Sequence, residues 1–205
     1  MVLLHPTYFP SIAQMVAMVQ HEDACFEVED NYQKQTYRTR AYIAHANGKL
    51  ALNVPIKHSK DGTRQKTKEV LVENNFPWQE QHWKSLQTAY RTSPFFEYYE
   101  DELLPLFSEK VDGLIDHHFS ILKVVEGLLD TNLNYSLSQT YEKDPKIKDL
   151  RYLAVCKNEA IFPLEPYTQV LQSHHGFLSN LSVLDLLFNE GPNALYYLEH
   201  QKIDF

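Results

Sequence analysis

Cysteine is almost missing from this chain. Cys25 and Cys156, two in 205 residues, exclude a disulfide framework and any metal site built on paired thiolates. Glycine is scarce too, six in all. No glycine-rich fingerprint occurs, which excludes a P-loop or dinucleotide fold whose bare amides hug a pyrophosphate. No apolar run approaches the length of a membrane span. The opening Met-Val-Leu-Leu-His-Pro has neither the basic start nor the long apolar core of a signal peptide, so the expected compartment is the cytoplasm. No repeat or low-complexity linker divides the chain, and one domain over residues 1–205 is expected. Net positive charge is also lacking. A balance of −8 disfavours general nucleic-acid binding.

The charge that is present is unevenly placed. Between Lys34 and Lys68 stand nine Lys/Arg and one acid, Asp61, a local +8 that leaves −16 for the rest of the chain. A basic island in an acidic protein focuses a small anionic ligand; the plainer reading is a solvated loop. Within the island, Asn47-Gly48 between two alternating runs predicts a two-residue hairpin turn. Ala46 then opposes Lys49, and Ala41 opposes Val54. Thr39, Ala41, Ile43, Leu50, Leu52, Val54 and Ile56 fall on a core face, and Arg38, Arg40, Tyr42, Asn53 and Lys57 on the other. In this register Arg38 lies opposite Lys57. Like charges so placed repel, which suggests either a bound anion or cations guarding an edge strand.

Upstream, Met1–Leu4 reads as a strand and Ser11-x-x-Gln14 as a capping box before a helix carrying Ile12, Met15, Val16 and Val19. Ala24–Val28 alternates as the next strand. The three make a βαβ unit, whose ligands bind at the C-terminal strand ends beside the helix N-terminus. That places His5, Thr7, Tyr8 and Ser11 where chemistry is usually done. Downstream, a short strand is expected at Val70–Val72 and a helix from Pro77. Ser93-Pro94 is expected to cap a further helix, and an amphipathic helix to run over Ser108–Leu129. Tyr135–Gln139 alternates as a returning strand. Ser182-x-x-Asp185 opens a C-terminal helix. The expected class is α/β: a mixed sheet with an N-terminal βαβ unit, a hairpin and a largely helical second half.

Three blocks resemble the WbqC-like family, whose members occur with bacterial surface-polysaccharide and O-antigen gene sets. HPTYFP resembles the family's QP-x-Y-x-P turn, with His5 in place of the usual glutamine. YRTRAYI…NGKLALNVPI resembles its Arg-x-Arg hairpin, and YTQVL…GFLSNLSVLDLLFNEGPNALYYL its C-terminal block. Many members carry a longer Ser/Gly-rich segment where this chain has only the charged stretch Lys143–Leu164. The resemblance implies acyl or aminoacyl transfer to a nucleotide-activated amino sugar. The alternative is a non-catalytic sugar-nucleotide-binding accessory protein.

His5 is the candidate general base, with an ordinary pKa suited to proton abstraction near neutrality; a hydrogen-bonding turn residue is the plainer role. Arg38 and Arg40 would clamp phosphate or carboxylate by paired charge-assisted bonds. Tyr8 and Tyr42 would stack a base or sugar, with Asn53 on the same outward hairpin face as Tyr42. A second candidate group is Tyr167, Gln169, Ser182, Asp185 and Asn189; Asp185, among apolar neighbours, is expected to be buried and hydrogen-bonded. His5, Arg38 and Arg40 are expected to face one cavity. The expected partner is thus an anionic small molecule such as a nucleotide sugar; no residue is assigned as a metal ligand, and the sequence names no cofactor.

Overall fold

The computed structural model describes residues 1–57, 63–157 and 160–205; Lys60 and the Asp61-Gly62 pair of the basic island lie outside them. Val2–Leu4, apolar at every position, forms β1 and is buried throughout. Such a strand suits the interior of a parallel sheet, where both faces are covered. Strand β2 (Ala24–Phe26) pairs with it in parallel, Val2 opposite Ala24 and Leu4 opposite Phe26. Helix α1 (Ile12–Val19) makes the crossover between them.

Cap and crossover agree with the sequence. Ser11 Oγ accepts from Gln14 N at 3.4 Å. The Gln14 side chain does not return to Ser11, however. Its Nε2 donates to the His5 carbonyl at 2.8 Å and its Oε1 accepts from Thr7 Oγ1 at 2.9 Å. Gln14 therefore holds the His5–Thr7 turn against α1.

Strands β3 (Arg40–His45) and β4 (Gly48–Asn53) form the hairpin, as a two-stranded sheet of its own rather than paired with the central strands. Its register is two residues away from the expected one. His45 opposes Gly48 and Arg40 opposes Asn53, so Ala46-Asn47 is the turn. The positive φ needed to reverse the chain sits on Gly48 (φ 105°), just after the turn. An even shift preserves the faces. Ala41, Ile43, Leu52 and Val54 are buried, while Asn53 and Lys57 are exposed. The Arg38–Lys57 opposition is not formed, because the strand begins only at Arg40. Gly48→Val is expected to cost about 1–3 kcal/mol through backbone strain alone, since a side chain there meets open space. An unchanged melting temperature would show that this φ is not demanded.

Tertiary pairing overrides two local signals further on. Helix α2 (Trp78–Tyr90) starts where expected, but Ser93 Oγ has no hydrogen-bond partner among the described residues. Phe95 N donates to Phe188 O at 3.1 Å, tying the chain to a buried distant segment before α3 (Phe96–Leu103) begins. After α4 (Pro105–Ser108), helix α5 runs Leu114–Leu129 rather than from Ser108. The residues ahead of it pair instead with 70–72: Leu71 bridges Gly113, and Leu114 N donates to Val70 O at 2.9 Å. Val70–Val72 accordingly forms isolated bridges, not a strand.

Strands β5 (Tyr135–Leu137) and β6 (Lys148–Asp149) complete a parallel sheet in the order β5-β2-β1-β6. Helices α6 (Gln172–His175), α7 (Val183–Glu190) and α8 (Ala194–His200) follow. The class is mixed α/β, with a parallel sheet, an antiparallel hairpin and helices through the second half.

Candidate functional site

Three backbone hydrogen bonds assemble the C-terminal edge of the sheet. Tyr8 N donates to Tyr37 O at 2.9 Å, Tyr37 N to Ala154 O at 2.8 Å, and Glu27 N to Leu4 O at 2.8 Å. They draw the turn after β1, the approach to β3 and the turn after β6 onto the end of β2. A buried charged cluster results. Arg38 Nη2 donates to Asp30 Oδ2 at 2.6 Å, and Thr67 Oγ1 donates to Asp30 Oδ1 at 2.6 Å. His5 Nε2 lies 3.8 Å from the same Asp30 Oδ2, and its Nδ1 lies 3.4 Å from the Glu27 carbonyl. Burial, with the Arg38 guanidinium close by, pushes the His5 imidazole down to about 3, so it is neutral at pH 7.

Arg151 closes the cluster. It donates to both Asp149 oxygens and to the carbonyls of Glu142 and Lys143, and its Nη1 lies 3.8 Å from Glu27 Oε2. Its guanidinium lies over the Tyr141 ring, 5.4 Å from the centroid. The bonds to Arg151 hold the Asp149 carboxyl below the usual carboxylate range. Beside the cluster is a polar cleft of about 570 Å³, lined by Glu29, Asp30, Tyr32, Arg64 and Tyr141 among others. Cationic, aromatic and carboxylate groups thus meet at the strand ends, where α/β sheets bind ligands.

His5 and Arg38 come together on Asp30, but Arg40 does not join them. Arg40 Nε donates to Asn53 Oδ1 at 2.8 Å, beside Tyr42 on the outer hairpin face. The chain turns at Thr36–Thr39 before the strand begins, with Thr39 N donating to Thr36 O. That turn breaks the period-two rule, which holds only along an extended strand. Arg38 is consequently interior, 1 % exposed, instead of outward-facing.

The helix-dipole expectation also fails. Ile12 N donates to Leu181 O and Ala13 N to Asn180 Oδ1, both within 2.9 Å, while Gln14 N uses Ser11 Oγ. The first-turn amides of α1 are taken by the chain itself, with Ser11 and Ser182 bridged. Tyr8 is fully buried, its hydroxyl on His82 Nδ1 at 2.8 Å and its ring stacked on His117.

Tyr167, Gln169, Asp185 and Asn189 form a buried network of their own. Asp185 is fully buried, as expected. It accepts from Tyr90 at 2.7 Å, from the Tyr167 hydroxyl at 2.5 Å, and from Gln169 Nε2 at 3.0 Å. Asn189 accepts from Val170 N, and Gln169 exchanges both amide bonds with Leu178. Ser182 caps α7 through Leu184 N. This network fastens the segment around Tyr167–Leu178 to α7. Burial raises the Asp185 carboxyl above its ordinary range, and the three donated bonds oppose that rise. Asp185→Asn would turn one acceptor into a donor facing donors. The expected loss is about 1–3 kcal/mol of stability, read by urea denaturation.

Glu27, Asp30 and Arg151 were not singled out by the sequence. For Glu27 and Asp30 a signal existed: both follow β2 within the βαβ unit, under the same rule that selects His5. Arg151 carried none, since it depends on β6, a strand two residues long.

The model of the WbqC-like protein family matches residues 5–163, taking in the His5 turn, the hairpin and Arg151. The chain is also 25% identical over 222 residues to the uncharacterized protein Rv1507c of Mycobacterium tuberculosis (strain ATCC 25618 / H37Rv), covering 94% of this chain and 92% of that protein. No solved structure matches. A family match over most of the length, carrying the turn and hairpin that build the charged cluster, makes this chain a member of the WbqC-like protein family.

Proposed function

We propose that residues 1–205 work as one WbqC-like domain that binds a nucleotide-activated amino sugar and transfers an acyl or aminoacyl group to its amine. The observation that carries this reading is the polar cleft at the strand ends. It combines a cation, Arg64, and two aromatic rings, Tyr32 and Tyr141, with the Asp30 end of the His5–Asp30–Arg38 cluster. Phosphate pairs with guanidinium and a base stacks on a ring. In the transfer, a bond forms between the amine nitrogen and the acyl carbon, and the bond from that carbon to its leaving group breaks. The amine proton passes to His5 Nε2 and on to the departing group. Asp30 stabilises the imidazolium while it exists.

Low basicity at His5 favours a second reading, an accessory protein that binds the nucleotide sugar without turnover. An imidazole at about 3 is a weak base until an anion raises it. Thermal-shift screening separates ligand classes, because a ligand that binds only the native state raises its stability. A nucleotide sugar should raise the melting temperature and an oligonucleotide should not. Arg64→Gln should cost about 1.5–3 kcal/mol of that binding. Incubation with an activated acyl donor, followed by mass analysis of the sugar, then separates enzyme from accessory. No shift with any nucleotide sugar would sink both readings.

A further inference from the structure

Parallel sheets bury both faces, usually under helices. Here one face is covered in the ordinary way: Val2, Leu4, Ala24 and Phe26 are all within the core. The other face carries Leu3 and Cys25, paired side by side across β1 and β2. Over it runs residues 138–147, a segment with no helical turn. A strap of this kind cannot fill the space that a helix would. A cavity of about 440 Å³ remains, lined by Leu3, Cys25, Leu137 and Ile147 and by polar residues that include Glu27 and Glu142.

The sheet side of the cavity is apolar, and Ser138, Gln139, Thr140, Glu142 and Lys146 line it from the strap. The Glu27 carboxylate, its buried polar group, is engaged: Oε1 accepts from Ser138 Oγ and from Glu29 N, both at 2.8 Å. On the sheet side, what a ligand meets is aliphatic surface and a half-buried thiol, with the polar strap residues opposite. The position is informative as well. Cys25 and Glu27 both line the cavity, and His5 Nδ1 lies 3.4 Å from the Glu27 carbonyl. The apolar floor therefore leads directly to the Glu27–His5 edge. Tyr141 lines the polar cleft while Glu142 lines this cavity, so the strap is a common wall between them.

We infer that this cavity holds the aliphatic acyl group of the donor, with the reactive carbonyl at the Glu27–His5 edge. The inference rests on the acyl-transfer reading for its meaning, but its test does not need the nucleotide sugar. In a Cys156→Ser variant, Cys25 is the remaining thiol and reports on the cavity. Its alkylation by N-ethylmaleimide is followed with hexanoyl-pantetheine, with the thioether S-methylpantetheine, which lacks both acyl group and free thiol, and with a nucleotide sugar. Hexanoyl-pantetheine at about ten times its Kd should slow the reaction about tenfold, as mass action requires. S-methylpantetheine and the nucleotide sugar should leave the rate unchanged. Ile147→Trp, which fills the cavity, should abolish the thermal shift that hexanoyl-pantetheine gives. Equal alkylation rates with and without the acyl compound would overturn the inference. Should Cys25 not react at all, absence of the thermal shift overturns it instead. Protection of Cys25 without nucleotide-sugar binding would leave the acyl cavity standing and remove the proposed acceptor. The reverse result would remove the cavity alone.

Discussion

Arg38→Gln is expected to destabilise the protein by about 3–5 kcal/mol, the usual consequence of removing one partner from a buried ion pair. Arg38 is 1 % exposed and Asp30 only 6 %. Without the guanidinium, Asp30 keeps Thr67 Oγ1 as its donor and a neutral imidazole at 3.8 Å. A carboxylate only 6 % exposed recovers little solvation at its edge of the cleft and no opposite charge. From the sequence, Arg38 belonged to a solvent face, where the same change would weaken ligand binding and spare the fold. Placement reverses that expectation. Arg38→Gln combined with Asp30→Asn should recover a good part of the loss, because no charge is then left unpaired. The single variant should also raise the His5 pKa, since the Arg38 charge helps to hold it down. Urea denaturation gives the stabilities, and histidine proton shifts followed against pH give the second readout. A single-variant loss under about 1 kcal/mol would show that the pair is solvated.

Acid lability beginning near pH 6 is the second large effect expected. Four histidines are buried and displaced downward: His5 and His118 to about 3, His82 and His117 to about 4, in each case mainly by burial. The sign follows from proton binding. Unfolded histidine takes up its proton near 6.5, whereas these folded ones do so only far below that. The unfolded state therefore binds more protons throughout the interval. Stability is fully present above about pH 6.5 and is lost as pH falls toward 3–4, at up to about 1.4 kcal/mol per pH unit for each histidine. His117→Phe isolates one contribution. His117 stacks on Tyr8 at 5.8 Å, and its Nε2 has no hydrogen-bond partner among the described residues. A phenyl ring keeps the stack without the titration. The variant should unfold with a shallower pH dependence between 6.5 and 4, and an unchanged slope would assign the acid sensitivity elsewhere.

The βαβ unit, the hairpin and the C-terminal cap were legible because each rests on short-range rules. Ser11 and Ser182 cap helices through their own neighbours. The faces of the hairpin follow from alternation, which survives even a two-residue slip in register. Asp185 was predictably buried because the apolar residues around it leave one helix no solvent face. His5 came to light for the same reason, as the residue that follows an apolar strand.

Only the tertiary structure decided what those residues touch. Arg38 and Arg40 are two apart in sequence, yet a turn at Thr36–Thr39 sends one into Asp30 and the other out to Asn53. The amides at the start of α1 read as an anion site in the sequence, but Asn180 and Leu181 occupy two of them. Arg151 reaches the site from a strand of two residues that no periodicity reveals. Local sequence sets backbone preference and which face is apolar, since both depend on neighbours a few residues apart. Charge pairing in the interior depends on contacts between distant segments: Arg38 with Asp30 and Arg151 with Glu27, with the neutral His5 beside Asp30. Those contacts exist only once the sheet has closed and the cost of burying each charge has selected its partner.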